Sequence, residues 1–223
     1  MADTTAAQRG WGPGWPNCQE SKMVTHTVFG VDFVMRREMV TIFDYLIRRH
    51  DATIEDINVG VDDYCFSCRA IRGTRTASNH SWGLALDLNS AQHPLGVDHT
   101  WDARQLLMGH LMCAELRFVR WGQDYTSRKD GMHWEWMGTP TDAAATTRRI
   151  KALDPWPKFD GNVLVPGEHT QRVVLVQKRL HVPLTYTMDA RTVSALRAFQ
   201  SQRHLPVTGK VTKGDWFHLG WKL

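Results

Sequence analysis

Residues 78–89 read SNHSWGLALDLN, and the alternation inside them decides what kind of fold surrounds them. From Leu84 to Leu88 every second residue is leucine, the period of a strand that turns one face to a core. Leu84, Leu86 and Leu88 then share one face, while Gly83, Ala85 and Asp87 share the other, where the small neighbours of Asp87 leave room for something bound. His80 precedes the strand in a run that should turn, which lets it fold back over that same face. A histidine and a carboxylate so placed form either a buried hydrogen-bonding pair or part of a reactive site. The stretch alone does not choose between them.

The choice comes from KDGMHWEWMG, residues 129–138. His133, Glu135 and Met137 alternate with Trp134 and Trp136, so His133 points to one face of a second strand, and Asp130 lies three positions before it across Gly131. Two imidazoles and one carboxylate suit zinc, which in catalytic sites takes three protein ligands and keeps a position open for water. A further carboxylate beside that water can take its proton and later protonate a leaving amine, and Asp130 is the candidate.

The first block, with Ser78, His80, Gly83, Ala85 and Asp87 in place, and the later Asp-Gly-Met-His resemble the zinc metallopeptidases of the D-alanyl-D-alanine carboxypeptidase type. The family pattern is Ser-x-His-x-x-Gly-x-Ala-x-Asp followed at a distance by acid-x-x-His, and the likeness spans roughly residues 20 to 150. It implies Zn2+ held by His80, Asp87 and His133. Aspartate rather than glutamate at position 130 is similar to the L-alanyl-D-glutamate peptidases of bacteriophage lysins. FSCRAIRGTRTASNH resembles the Ser-Gly-Tyr-Arg-Ser stretch of the family without its tyrosine and glycine, with Arg69 at the arginine position, where it would hold a substrate carboxylate or a developing oxyanion. Ser78, Arg72, Glu135 and Trp134 are expected to touch substrate or to support the ligands from behind.

Working outward, a strand running into a helix is expected within 25–50, where Val28 and aromatic positions give way to Met35, Met39, Ile42, Phe43 and Leu46 at helical spacing. DINVGVDDYCFSC, residues 56–68, reads as extended. Residues 100–116 carry Leu106, Leu107, His110, Leu111 and Ala114 on one helical face, with Thr100 as N-cap. FVRWG and HWEWM read as two short strands. The expected class is α+β: a small antiparallel sheet with flanking helices, then a small all-helical domain of three helices. A Pro- and Gly-containing stretch without period marks a linker at 153–166, separating a zinc peptidase domain at 1–152 from a second domain at 167–223.

In that second domain Val173, Val176, Gln177 and Leu180, then Val193, Leu196 and Phe199, keep helical spacing, with Thr192 near a helix start. Gln177, Leu180, Thr192, Phe199, Gln200, Gly209 and Trp216 resemble the peptidoglycan-binding domain of wall hydrolases, without the usual Asp-Gly turns. The resemblance implies bacterial peptidoglycan as partner.

Composition narrows the remaining classes. The 223 residues contain no apolar run long enough to span a membrane, and no signal-peptide core opens the chain, so membrane insertion is not expected. Synthesis in the bacterial host cytoplasm, release, and action at the wall are the expected course. A net charge of +4 suits an anionic partner but is spread out, and no nucleic-acid motif accompanies it. Cys18, Cys65, Cys68 and Cys113 are expected to be free thiols. Neither the His-x-Glu and Pro-Cys-x-x-Cys order of zinc deaminases nor an HExxH helix occurs. The expected protein is a monomeric endolysin cutting the stem peptide at the L-Ala–D-Glu bond; the alternatives are a D-alanyl-D-alanine carboxypeptidase, a cross-link endopeptidase, or an inactive wall-binding protein.

Overall fold

The computed structural model describes residues 4–57, 63–153 and 161–219. Residues 58–62, within the stretch read as extended, and 154–160, within the expected linker, lie outside the described residues. The chain divides into two compact units, residues 1–154 and 155–223.

The first unit is α+β. Its strands β1 (Met23–Val28) and β2 (Val31–Arg36) form an antiparallel hairpin, followed by α1 (Val40–Thr53). The single strand expected here is therefore two strands, and Met35 belongs to the second of them rather than to the helix. Phe29 and Gly30 both have positive φ, the geometry of the tight hairpin turn, but Phe-Gly lacks the Asn or Asp that normally announces it. Three further strands, β3 (Ala85–Asp87), β4 (Val119–Trp121) and β5 (His133–Trp136), make an antiparallel sheet in the order β3-β5-β4. Helices α2 (Ala103–Leu116) and α3 (Pro140–Leu153) complete the unit.

Leu84, Leu86, Leu88, Trp121, Trp134 and Trp136 are buried, with Trp121 stacked on Trp134 at 4.6 Å between ring centroids. The register pairs Leu86 with Trp134, Asp87 with His133, and Arg120 with Glu135. Period two then sends Leu86, Trp134 and Trp121 to one face of the sheet, and Ala85, Asp87, His133, Glu135 and Arg120 to the other. Gly83 has φ +63, and a Cβ there would meet the Arg36 backbone nitrogen at 2.5 Å, so only glycine lets the hairpin approach the start of β3.

Helix α2 begins later than Thr100 predicts. Asp102 is its N-cap, in a capping box with Gln105, and the Thr100 hydroxyl instead meets His93 Nδ1 at 2.8 Å. The helix buries Gly109, Met112 and Leu116, while Leu107 and Leu111 are 55% and 51% exposed. The thiols are also corrected: Cys18 and Cys68 form a disulfide, leaving Cys65 and Cys113 free. Cys65 and Cys68 stand three apart in extended chain and so face opposite ways, one into the core and the other toward Cys18.

The second unit contains α4 (Gln171–Arg179), α5 (Ala190–Gln202) and α6 (Lys213–His218) around a core that includes Leu164, Val173, Val176, Leu196 and Trp216. It holds an internal repeat. VQKRLHVPLTYTMDARTV at 176–193 recurs as FQSQRHLPVTGKVTKGDW at 199–216. In the first copy the buried Gln177 accepts from the backbone N–H groups of Thr185 and Tyr186, and donates to Thr185 Oγ1, the Thr187 carbonyl and Thr192 Oγ1. In the second, Gln200 accepts from Thr208 and Gly209 and donates to Thr208 Oγ1, the Lys210 carbonyl and Asp215 Oδ1. Each glutamine satisfies a turn that would otherwise leave backbone groups unpaired.

Candidate metal centre and active site

His80 sits on a short turn, Asn79–Trp82, capped by the Ser78 side chain, which accepts from His80 N–H. The neighbouring backbone is tied to Arg69, whose carbonyl accepts from Ser78 N–H and whose N–H donates to Ser81 Oγ. His80 Nδ1 bonds to the Cys65 carbonyl. A carbonyl only accepts, so Nδ1 carries the proton and Nε2 presents its lone pair. That nitrogen lies 3.2 Å from His133 Nδ1 and 3.3 Å from Asp87 Oδ1, and His133 Nδ1 is 2.8 Å from the same carboxylate oxygen. The three buried side chains offer ligand atoms that all lie within 4.8 Å of one another. Strand pairing explains the meeting of Asp87 and His133, and the left-handed Gly83 explains how His80 turns back over them.

The opposite edge of the His133 ring, Nε2, is 3.6 Å from Glu135 Oε2. Glu135 is held in turn by Arg120, whose Nε and Nη2 reach Oε1 at 2.7 and 2.6 Å, by the Tyr125 hydroxyl, and by Asn79 Nδ2. Burial opposes charge on Asp87, Glu135 and His133, but mutual pairing overcomes it. The hydrogen bond from His133 holds the Asp87 carboxyl well below the usual range, and His133 and Arg120 do the same for Glu135. Asp87 and Glu135 raise His133 to about 10. The proton that these carboxylates draw onto His133 marks a place where positive charge is stabilised. With two imidazoles and a carboxylate converging there and an orienting carboxylate behind, the donor set fits a divalent metal ion.

Asp130 lines the same cleft. Its Oδ1 is buried with no hydrogen-bond partner among the described residues, and burial first, then the Asp87 charge, push its pKa up to about 6. Arg69 also lines the cleft, its Nη2 donating to the Tyr64 hydroxyl at 2.9 Å. Tyr64 stacks on His80 at 4.9 Å, and burial, then the Asp87 charge, raise its pKa to about 12. Arg72 stands exposed at the rim. Trp134 is not brought to the cleft: it is buried on the core face. Sequence reasoning passed over Tyr64, Asn79, Arg120 and Tyr125, and also Arg9, whose Nη2 reaches Asn79 Oδ1 and the Trp136 carbonyl. The strand register, which sets Arg120 opposite Glu135, was the available signal for one of them.

The cleft measures about 970 Å³, and its wall includes Arg9, Arg69, Arg72, Arg120 and Arg128. The acid groups facing them are Asp87, Asp130 and Glu135, of which Glu135 already pairs with Arg120. His110, on α2, pairs with Asp124 at 2.9 Å away from this centre.

No curated protein and no solved structure matches the chain. Residues 72–136 match the family model described as D-alanyl-D-alanine carboxypeptidase, a span holding all three converging side chains and Asp130. Residues 170–214 match the family model of a peptidoglycan binding domain. The chain thus carries, in order, a segment similar to the D-alanyl-D-alanine carboxypeptidase family and a segment similar to peptidoglycan-binding domains.

Proposed function

We propose that the protein is a zinc-dependent peptidoglycan hydrolase that cuts the stem peptide at the L-Ala–D-Glu bond, with residues 167–223 holding it on the wall. The convergence of His80, Asp87 and His133 beside the unpartnered oxygen of Asp130 carries this reading. The two family matches support the substrate polymer. Zinc bound by the three side chains would polarise the scissile carbonyl and acidify a water.

The chain's own groups do the rest. Asp130, buried enough to resist ionisation, takes a proton at its free oxygen and returns it to the departing amine. Arg69, steered by Tyr64, faces the negative charge that grows on the carbonyl oxygen or holds a substrate carboxylate. Glu135 fixes the His133 ring so that Nδ1 points inward. The arginines along the wall favour a peptide rich in carboxylates, which a stem peptide containing D-glutamate supplies. In this reading the protein acts as an endolysin.

Mass spectrometry of digested peptidoglycan tests the bond. New N-terminal D-glutamate, or its amide, is expected, with L-alanine left on muramic acid. Free D-alanine as main product would establish a carboxypeptidase, and new amino groups on diaminopimelate a cross-link endopeptidase. Metal analysis should find about one zinc per chain, lost in His80→Ala, Asp87→Ala and His133→Ala. Absence of both zinc and turnover in the intact protein would leave a wall-binding protein.

A further inference from the structure

The two copies of the repeat differ at one turn position. Gly209 has φ +70, the left-handed region where glycine costs nothing. Its counterpart, Tyr186, has φ +62 and donates its N–H to Gln177 just as Gly209 donates to Gln200. A bulky side chain in that region is strained, and the second copy shows that the turn forms with glycine. The ring returns nothing obvious to folding, since Tyr186 is 41% exposed and lies outside the core cluster. Strain kept at an exposed position points to function rather than packing.

The surroundings indicate a ligand. The exposed His169 ring lies 6.2 Å from the Tyr186 ring, tilted by 36°, and is fixed by Nδ1 to Thr187 Oγ1 at 2.8 Å. Leu184 is exposed beside them in sequence. A flat aromatic face flanked by imidazole and hydroxyl groups suits a hexose, whose C–H face is apolar and whose rim is polar. Tyr186 lies inside the segment that matches the peptidoglycan-binding family model.

We infer that Tyr186, displayed by its strained turn next to His169, is a stacking platform for an N-acetylhexosamine ring of the glycan strand. The inference rests on the proposal that this unit binds peptidoglycan, and it names the part of the polymer that is held.

Co-sedimentation with insoluble peptidoglycan tests it, using the full chain with Asp130→Ala to spare the wall. Tyr186→Gly should raise the thermal midpoint while weakening wall binding roughly three- to tenfold, the worth of one aromatic contact. Tyr186→Phe should bind as the parent does. Tyr186→Asn, which tolerates the turn, should stay folded and lose binding. Peptide-free glycan strands should compete for the parent. Unchanged binding by Tyr186→Gly, a lower thermal midpoint in that variant, or competition by stem peptides alone would overturn the platform while the wall-binding proposal stands. A parent protein that does not sediment with the wall would overturn both.

Discussion

Asp130 combines a raised pKa with a free, buried oxygen, and its behaviour against pH follows from both. As the proposed base it would work only when ionised, so kcat/KM should rise with pH through its pKa. A bound cation would stabilise the carboxylate, so the acid limb should fall at or below about 6. Asp130→Ala should lose roughly two to four orders of magnitude in turnover while keeping its metal, and the limb should vanish with it. An unchanged rate profile in that variant would move the base elsewhere. His50 gives a second pH effect, on stability. Burial lowers its pKa to about 4, its Nε2 has no hydrogen-bond partner among the described residues, and its ring packs edge-on against Trp101 and Trp134. Below about 6.5 the unfolded chain takes up a proton that the folded chain refuses, so stability falls between about 6.5 and 4. The loss amounts to about 3 kcal/mol at the acid end. Urea unfolding across that window should show that His50→Leu loses less stability than the parent as the pH falls, by about that amount. At this scale the sequence revealed side chains whose chemistry is local to a motif. Tyr64 and Tyr125 were not legible, because each reaches the centre from a separate stretch of chain outside the strands.

Elements were legible where their apolar period survived and illegible where a neighbour supplied the packing. Helix α2 shows the difference. Its leucines suggested one face, yet Leu107 and Leu111 face solvent and Gly109 faces Trp121, a position where a Cβ would lie 2.4 Å from the indole. Glycine adds nothing to a hydrophobic pattern, so the contact was invisible until the tryptophan was placed. Helix propensity favours Gly109→Ala by about 1 kcal/mol, but the collision with a buried ring should win and destabilise the protein by roughly 1–3 kcal/mol. Thermal unfolding of the variant checks the sign, and a stabilised protein would show that the indole can move aside. Helix α3 was overlooked although Thr139-Pro140-Thr141-Asp142 signals its start: Asp142 Oδ2 accepts from Thr139 N–H and hydroxyl, and Pro140 fills the first turn at no hydrogen-bonding cost. The repeat in the second unit was hidden because its copies share few identities.

At the scale of the molecule, the α+β unit and the helical unit are the expected ones, and the division into two compact units fits a chemistry that should survive separation. Residues 1–153 alone are expected to cleave soluble muropeptides at the full rate and intact wall more slowly, by roughly tenfold or more, because tethering raises local concentration without touching the site. Equal wall cleavage by the short and full chains would remove the case for tethering. The cysteines were read from compartment, and geometry reversed that reading for Cys18 and Cys68 while Cys65 and Cys113 are free. Cys18 and Cys68 enclose a loop of 50 residues that holds the β1–β2 hairpin and α1, and one end lies beside Arg69. In the unfolded chain such a loop would forfeit conformational freedom equivalent to roughly 4 kcal/mol at 25 °C, so the cross-link raises the free energy of the denatured ensemble rather than adding a contact to the native one. The same polypeptide therefore has two stabilities, a lower one among cellular thiols and a higher one outside, and its resistance to unfolding and proteolysis depends on where it is.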